Sequence, residues 1–409
     1  MKSEKITFEN SDSYTLSASL ELPIDRNPHN FCIFAHCFTC SKNLRAVRNI
    51  ADGLTNKGFG VLRFDFTGLG NSEGDFSSTN FSSQVSDLRS AYKYIESEFK
   101  APSLMVGHSL GGTAVLMAAS QFPLLKAVAT IGSPAEPAHV QNLIRGDLDQ
   151  ITQSGQAEVS IGGRNFTIKK QFLDDLEKNS LQNRLKEPDK AILVLHSPQD
   201  KIVGIKEAEK IYTAAMHPKS FIGLDGANHL LTNDQDALYV GEVIAAWAYR
   251  YLDYPQKNDL KTDKQTLVRL GEKEDKFTTQ VQMGKHHLVA DEPASAGGFD
   301  YGPSPYDLLT ASLGTCTAMT LRMYADRKGI QLDEVRVHLQ HEKVHATDAN
   351  SESQKGENKI DRISRILELD GDLTDKQRQR MLEIADKCPV HKTLTRSVSI
   401  ESKLMESEK

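Results

Sequence analysis

Apolar and polar positions follow two different rhythms along the 409-residue chain. Up to about residue 252, short apolar runs alternate with stretches of helical spacing. Residues 6–22 alternate in a way that predicts two antiparallel strands. Phe31-Cys32-Ile33-Phe34-Ala35 is apolar throughout, as a strand covered on both faces must be. Helical spacing over 43–57 stops at Lys57-Gly58. Gly60-Val61-Leu62-Arg63-Phe64 predicts the next strand, 81–99 a helix, and Leu104-Met105-Val106 a strand that runs through a turn into the alanine-rich stretch 113–121. Further strands are expected at 126–131, 190–196 and 219–224, with helices near 206–216 and 235–252. Strand and helix in alternation build an α/β fold, a doubly wound, mostly parallel sheet with helices on both faces. From Ser133 to Pro188 the rhythm fails. There Val159 to Phe166 reads as a hairpin before a helix near 169–178, and this interval is expected to be a lid inserted over the site.

Asp253-Tyr254-Pro255-Gln256-Lys257-Asn258-Asp259 is polar and contains a proline, which marks a linker over 254–264. Residues 265–409 follow another plan. Antiparallel strands are expected over 265–291, then a glycine-rich loop at Ala296-Gly297-Gly298, an apolar, buried helix over 305–328 and a strand over 335–344. A mobile loop at 346–359, a strand at 363–369, a helix at 374–387 and a closing strand at 396–402 complete it. This is a separate α+β domain beside the α/β domain of residues 1–253.

Composition narrows the function classes. The chain is 39% hydrophobic and 25% charged with a net charge of −6, which gives no reason to expect nucleic acid or a membrane surface as partner. No window approaches ~18 consecutive apolar residues, and Met1-Lys2-Ser3-Glu4-Lys5 lacks the apolar core of a signal peptide. A cytoplasmic protein with reduced thiols is expected, and five irregularly spaced cysteines fit that better than a disulfide framework.

The chemistry centres on Gly107-His108-Ser109-Leu110-Gly111. A serine on a sharp strand-to-helix turn needs small neighbours on both sides, because the turn crowds the backbone against itself; Gly107 and Gly111 meet that need. The helix that follows would aim N–H groups at an oxyanion formed there. A serine nucleophile also needs a base, and an acid to orient it. Asp200 follows the apolar run Ile192-Leu193-Val194-Leu195, and His229 follows the strand ending at Leu224. Both fall on loops at the carboxyl edge of the sheet, where ligands collect, with acid before histidine.

On these residues the first 253 positions resemble the α/β-hydrolase superfamily, close to its lid-bearing esterase and lipase-like members. The resemblance implies hydrolysis of an ester, thioester or similar acyl substrate through an acyl-enzyme on Ser109, with peptide or amide hydrolysis as the alternative chemistry of the same triad. It also implies an oxyanion loop, here His36-Cys37-Phe38 with Cys37 where glycine is usual, and the amides of Phe38 and Leu110 as donors. Cys37 and Cys40 form a C-x-x-C. A zinc site wants four ligands, and within such a loop the two are read as structural or pocket-lining cysteines rather than a redox pair.

In the second domain Cys316 lies mid-way in the nearly uncharged stretch Leu308-Leu309-Thr310-Ala311-Ser312-Leu313-Gly314-Thr315-Cys316-Thr317. Cys388 lies in Asp386-Lys387-Cys388-Pro389-Val390-His391, at a helix end stopped by proline. Buried single cysteines are usually inert, so the residues alone leave structural and redox roles open. Gly302-Pro303-Ser304-Pro305-Tyr306-Asp307-Leu308-Leu309 leading to Cys316, with Cys388-Pro389-Val390-His391, resembles the OsmC and organic hydroperoxide resistance family. The resemblance implies that Cys316 is the peroxidatic thiolate and Cys388 the resolving thiol. It further implies organic hydroperoxides as substrates, a thiol reductant and a homodimer. Tyr306, followed by Asp307, stands where the hydroperoxide resistance branch has a glutamate. Arg269 and Arg322 are the candidates for the cation that lowers a reactive thiol's pKa. The alternative is a hydrolase carried on a catalytically inert dimerisation or binding module. His338, His341 and His345 lie on one strand, but His338 faces away from the other two, so no metal site is expected, nor a cofactor.

Overall fold

The opening alternation becomes a hairpin: Lys2–Glu9 (β1) runs antiparallel to Thr15–Leu22 (β2), Lys2 opposite Leu22 and Glu9 opposite Thr15. A computed structural model describes residues 2–24, 28–161, 163–181, 190–254, 262–271, 275–345 and 359–404. Its contacts divide the chain into two units, Met1–Lys261 and Thr262–Lys409.

In the first unit the hairpin leads to Asn30–Ala35 (β3), Arg45–Asn56 (α1), Phe59–Phe64 (β4), Phe81–Glu98 (α2), Leu104–His108 (β5), Leu110–Ala119 (α3) and Ala127–Ile131 (β6). Between β6 and the next strand of the main sheet comes the interval that breaks the rhythm. It holds a 3₁₀ segment Pro137–Asp147, Leu148–Ser154 (α4), a hairpin of Gln156–Ile161 (β7) with Arg164–Lys169 (β8), and Lys170–Lys178 (α5). The rest of that interval, 182–189, lies outside the described residues. Ala191–His196 (β9), Ile205–Ala214 (α6), Lys219–Gly223 (β10) and Asp234–Ala248 (α7) follow.

The eight strands are ordered β1-β2-β4-β3-β5-β6-β9-β10, and from β4 to β10 every pair is parallel. The apolar runs are continuous because the sheet is covered twice. Ile33, Leu62 and Met105 pack on one side with Leu88 of α2 and Val115 of α3, while Cys32, Val61 and Leu104 pack on the other with Ile50 of α1 and Ile244 of α7. Val140, Ile151, Val159, Phe172 and Leu176 of the inserted segment join the first of these cores. Each such side chain contributes about 1.5–3 kcal/mol when fully buried, which anchors the insertion.

The second unit begins with a three-stranded antiparallel sheet, Thr266–Leu270 (β11), Thr279–Met283 (β12) and His286–Ala290 (β13). Pro305–Lys328 (α8) follows. Ser304 caps it reciprocally with Asp307, Pro305 occupies its first turn, and Gly329 ends it at φ 63°. Glu334–His345 (β14) pairs antiparallel with Lys359–Asp370 (β15), and Asp375–Ala385 (α9) and Pro389–Leu394 (α10) close the unit. The stretch read as a mobile loop, 346–359, lies almost wholly outside the described residues, as does most of the linker read over 254–264.

Three expectations for this unit need correction. The helix α8 is buried on one face only: Leu313, Gly314, Thr317, Leu321 and Ala325 are covered, but Met319 is 66% and Met323 71% exposed. Among the described residues the core that α8 forms with α9 is small. No strand forms over 396–402, where Val398 and Ile400 are exposed and no strand among the described residues pairs with them. The proline after Cys388 does more than stop a helix, because it occupies the first turn of α10 with Cys388 as its N-cap.

Candidate active sites

Ser109 joins β5 to α3 with φ 55° and ψ −127°, a left-handed backbone that a non-glycine residue adopts only when its surroundings impose it. The surroundings are visible in the glycines. A Cβ on Gly107 would stand 2.4 Å from the Gly111 carbonyl oxygen, and one on Gly111 would stand 2.4 Å from that of His36. The Ser109 amide donates to the Ile131 carbonyl of the neighbouring strand at 2.8 Å, which ties the turn to the sheet.

The loops after β9 and β10 bring the other two residues to this point. His229 Nε2 lies 3.1 Å from Ser109 Oγ, and His229 Nδ1 lies 2.7 Å from Asp200 Oδ2. An ionised carboxylate only accepts, so Nδ1 carries the proton and the free lone pair of Nε2 faces the serine hydroxyl. Asp200 Oδ1 accepts the amides of Ile202 at 2.8 Å and Val203 at 3.0 Å. Burial pushes the Asp200 carboxyl up, but the bond from His229 and the two amides outweigh it and hold the pKa below the ordinary value. Gly132, at φ +54°, lies against this pair: a Cβ there would be 3.3 Å from Asp200 Oδ2 and 3.4 Å from His229 Nδ1.

Two further histidines pack around the line of three. His196, wholly buried at the end of β9, lies 2.7 Å by Nε2 from the Val203 carbonyl and 3.7 Å from Asp200 Oδ2. His108 donates from Nε2 to the His229 carbonyl at 2.7 Å, and burial, with the nearby His229, pushes its pKa down to about 3. Sequence reasoning missed both; the position of His108 inside G-x-S-x-G is the signal that could have found it.

The loop after β3 runs against this turn. His36 is buried and lies 2.8 Å by Nδ1 from the Cys37 carbonyl; burial, first among several influences, holds its pKa down. The Leu110 amide, at the first position of α3, has no acceptor within the helix. The Phe38 amide makes no backbone hydrogen bond among the described residues. The Phe38 ring stacks on Phe172 of the inserted segment at 5.4 Å, and Arg164 of that segment donates to the Thr39 carbonyl at 2.7 Å. Cys37 and Cys40 are joined by a disulfide, which corrects the expectation of reduced thiols throughout. The four-residue turn brings their Cα atoms to 5.3 Å, inside the span a disulfide bridges.

In the second unit Cys316 is partly exposed and Cys388 wholly buried, both as free thiols. The residue after Cys316 links them: Thr317 Oγ1 is 3.7 Å from Cys388 Sγ. Cys388 Sγ also accepts the His391 amide at 3.3 Å as the cap of α10. The arginine beside this cluster is Arg365 of β15, which donates to Thr317 Oγ1 at 2.9 Å, the Ala385 carbonyl at 3.2 Å and Asp386 Oδ1 at 2.6 Å. Neither arginine singled out in the sequence has that place. Arg322 is spent on the carbonyls of Leu332 and Asp333, and Arg269 lies exposed on β11 opposite Gln280. A β-ladder set Arg365 there, and no local motif marks it.

Tyr306 stacks on His341 at 4.1 Å, and Asp307 is engaged in the α8 cap. His341 pairs with Asp361 at 2.9 Å and His338 with Glu368 at 3.3 Å. The side chain of His345 lies outside the described residues. Among the described residues no three histidine, cysteine or carboxylate side chains gather as a metal would require. No helix among them is long and apolar enough to cross a membrane.

Comparisons with known proteins place both units. Residues 26–146 match the family model described as serine aminopeptidase, S33, and residues 297–403 the model described as OsmC-like protein. The crystal structure of the esterase domain from a Rhodothermus marinus protein is 50% identical, covering 61% of this chain and 99% of that one with a TM-score of 0.52. Est1E of Butyrivibrio proteoclasticus with ferulic acid bound is 19% identical over 60% of this chain and 98% of that one at a TM-score of 0.50, a likeness of fold alone. The uncharacterized protein YfhR of Salmonella typhimurium is 23% identical over 237 residues, 56% of this chain and 75% of YfhR. With half of its residues shared with that esterase domain over the full length of the domain, and with the strand order and serine turn described above, the first unit belongs to the α/β-hydrolase family, and the chain continues into an OsmC domain.

Proposed function

We propose that the first unit is a serine esterase acting through Ser109, His229 and Asp200, and the second a thiol peroxidase acting through Cys316 and Cys388. The observation that carries the first half is the unbroken line from Ser109 Oγ through His229 to Asp200, at 3.1 and 2.7 Å. Ser109 Oγ attacks the acyl carbonyl carbon and passes its proton to His229 Nε2, while Asp200 stabilises the imidazolium. The amides of Phe38 and Leu110 receive the oxyanion. His229 then returns the proton to the departing alkoxide, and water, deprotonated by His229 in turn, releases the acid and restores Ser109. An ester is favoured over an amide substrate by the 50% identity to a domain described as an esterase. The inserted segment serves as a lid, a reading supported by the stacking of its Phe172 on Phe38.

In the second unit, Cys316 thiolate attacks the terminal oxygen of a hydroperoxide, forming a sulfenic acid and releasing an alcohol. Cys388 thiol then attacks the Cys316 sulfur, water leaves, and a disulfide closes; two equivalents of a thiol reductant restore both cysteines. The contact of Cys388 with Thr317, the residue next to Cys316, and the OsmC match over 297–403 support this. A cytoplasmic setting supplies such reductants. The exposed apolar residues Met319, Met323, Ile366 and Ile400 favour a homodimer through this unit.

Intact mass after treatment with a fluorophosphonate, and separately with an organic hydroperoxide, tests both halves. A fluorophosphonate adduct absent from Ser109→Ala and a Cys316–Cys388 disulfide formed by peroxide are the expected results. No adduct and no ester hydrolysis would overturn the first half. Hydroperoxide consumption unchanged by Cys316→Ser would reduce the second to a binding and dimerisation module.

A further inference from the structure

We propose that Cys37–Cys40 is a reversible thiol–disulfide site that holds the Phe38 amide in place, so that the hydrolase works with the disulfide closed and slows when it is reduced. This rests on the reading of Phe38 as an oxyanion donor.

The argument starts from one peptide plane. The Cys37 carbonyl and the Phe38 N–H belong to the same planar trans unit, so they point in opposite directions and fixing one aims the other. That carbonyl is fixed twice, by the His36 ring at 2.8 Å and by the Cys40 amide at 3.1 Å. The second bond requires Cys40 to fold back over Cys37, and the disulfide makes that fold covalent. The turn does not favour itself. Its third residue, Thr39, is β-branched and sits at φ 62°, a region such residues avoid. Its other hydrogen bonds are the Thr39 hydroxyl to the Phe38 carbonyl at 2.6 Å and Arg164 to the Thr39 carbonyl at 2.7 Å, while the Phe38 side chain is held by ring contacts with Phe76 and Phe172, which do not set the direction of its amide. With the sulfurs parted, Thr39 can return to ordinary backbone angles. The Cys40 amide then leaves Cys37, and the peptide plane, held by His36 alone, aims the Phe38 N–H less firmly.

Access differs between the two sulfurs in a useful way. Cys37 is 4% exposed whereas Cys40 is partly exposed, so an incoming thiolate attacks Cys40 and expels Cys37 as thiolate. A second thiol resolves the mixed disulfide, leaving two protein thiols and one oxidised reductant. Closure runs through an organic hydroperoxide: the Cys40 thiolate takes its terminal oxygen, an alcohol departs, and the Cys37 thiol displaces water from the sulfenic acid to remake the bond. The oxidant is of the class proposed as substrate of the OsmC unit, so peroxide would hold the hydrolase in its competent state.

The test uses the full-length protein poised over a dithiothreitol series and then re-oxidised with cumene hydroperoxide. At each step two quantities are read: peptide-resolved alkylation of Cys37 and Cys40, and the rate of fluorophosphonate addition to Ser109. The expected result is a labelling rate that falls roughly 10²-fold, the worth of one oxyanion donor, in step with the reduced fraction of Cys37–Cys40, and returns on re-oxidation. Cys37→Ser with Cys40→Ser should label at the reduced rate whatever the poise; circular dichroism checks its fold, and the wild-type series stands without it. Free thiols at 37 and 40 in the untreated protein, or full reduction with an unchanged labelling rate, would overturn the switch and leave the esterase reading standing. No labelling of Ser109 in any state would overturn both.

Discussion

His108 Nε2 donates to the backbone carbonyl of His229 at 2.7 Å, so the residue before the serine holds the loop of the histidine that faces it. His108 ends β5 and His229 lies on the loop after β10, so this bond ties the strand that carries the serine to the loop that carries the histidine. Replacing His108 with Leu leaves a buried carbonyl without a donor, a cost of about 1–3 kcal/mol. The expected effect is a kcat lower by about tenfold with KM little changed, and partial recovery in His108→Gln, whose amide can still donate. A KM rise with kcat intact would place His108 in substrate binding instead.

The same residue has a pH signature. Burial, and the neighbouring His229, keep His108 neutral in the fold down to about pH 3, whereas in the unfolded chain it titrates near 6.5. Between those values the unfolded state holds the extra proton, so stability is lost as pH falls below 6.5, by up to about 1.4 kcal/mol per pH unit for this one group. Urea unfolding of wild type and His108→Gln at pH 7 and pH 5 should give a smaller loss in the variant. Asp87, a buried carboxyl raised by burial, contributes with the opposite sign but cancels from the difference.

Gly132 leaves little room for a side chain beside the Asp200–His229 bond. Gly132→Ala puts a methyl group 3.3 Å from Asp200 Oδ2 at a φ of +54°, which alanine adopts only under strain. Fluorophosphonate labelling of Ser109 should slow by about tenfold or more, while melting falls by only a few degrees. Unchanged labelling would mean the pair tolerates displacement.

Arg365 holds Thr317, Ala385 and Asp386 together around Cys388. In Arg365→Met the sulfenic acid at Cys316 should form but persist, because Cys388 is no longer held beside α8. Trapping with dimedone after a hydroperoxide pulse reads this directly, and an increase of about tenfold in trapped adduct is expected. Equal trapping in both proteins would confine Arg365 to a packing role.

If the two activities serve one substrate, Ser109→Ala should stop thiol-dependent reduction of a peroxidised ester while leaving that of the free peroxidised acid intact. Equal rates on both compounds in the variant would mean the sites act separately.

The order of strands and helices was legible in the chain because each element of a doubly covered parallel sheet writes its own local pattern. Apolar runs such as Phe31 to Ala35 have few other places to go, and Gly107 and Gly111 announce the turn that holds Ser109. Asp200 and His229 could be chosen for the same reason: each follows an apolar strand, and strand ends share one edge. The 24-residue helix carrying Cys316 was equally plain, framed by Ser304, Pro305 and Gly329. Tertiary structure alone decided the rest. Gly132 and Arg365 owe their roles to what lies across a sheet or ladder from them, which no local spacing records, and the motif around Ser109 marks the place of His108 but not its bond to the His229 carbonyl. The disulfide depends on a turn that brings two Cα atoms within 5.3 Å. The exposed face of α8 and the missing strand after Arg396 have the same origin. Local pattern fixes whether a segment is apolar enough to be covered, but only the packing of distant segments determines whether one chain has enough of them to cover it.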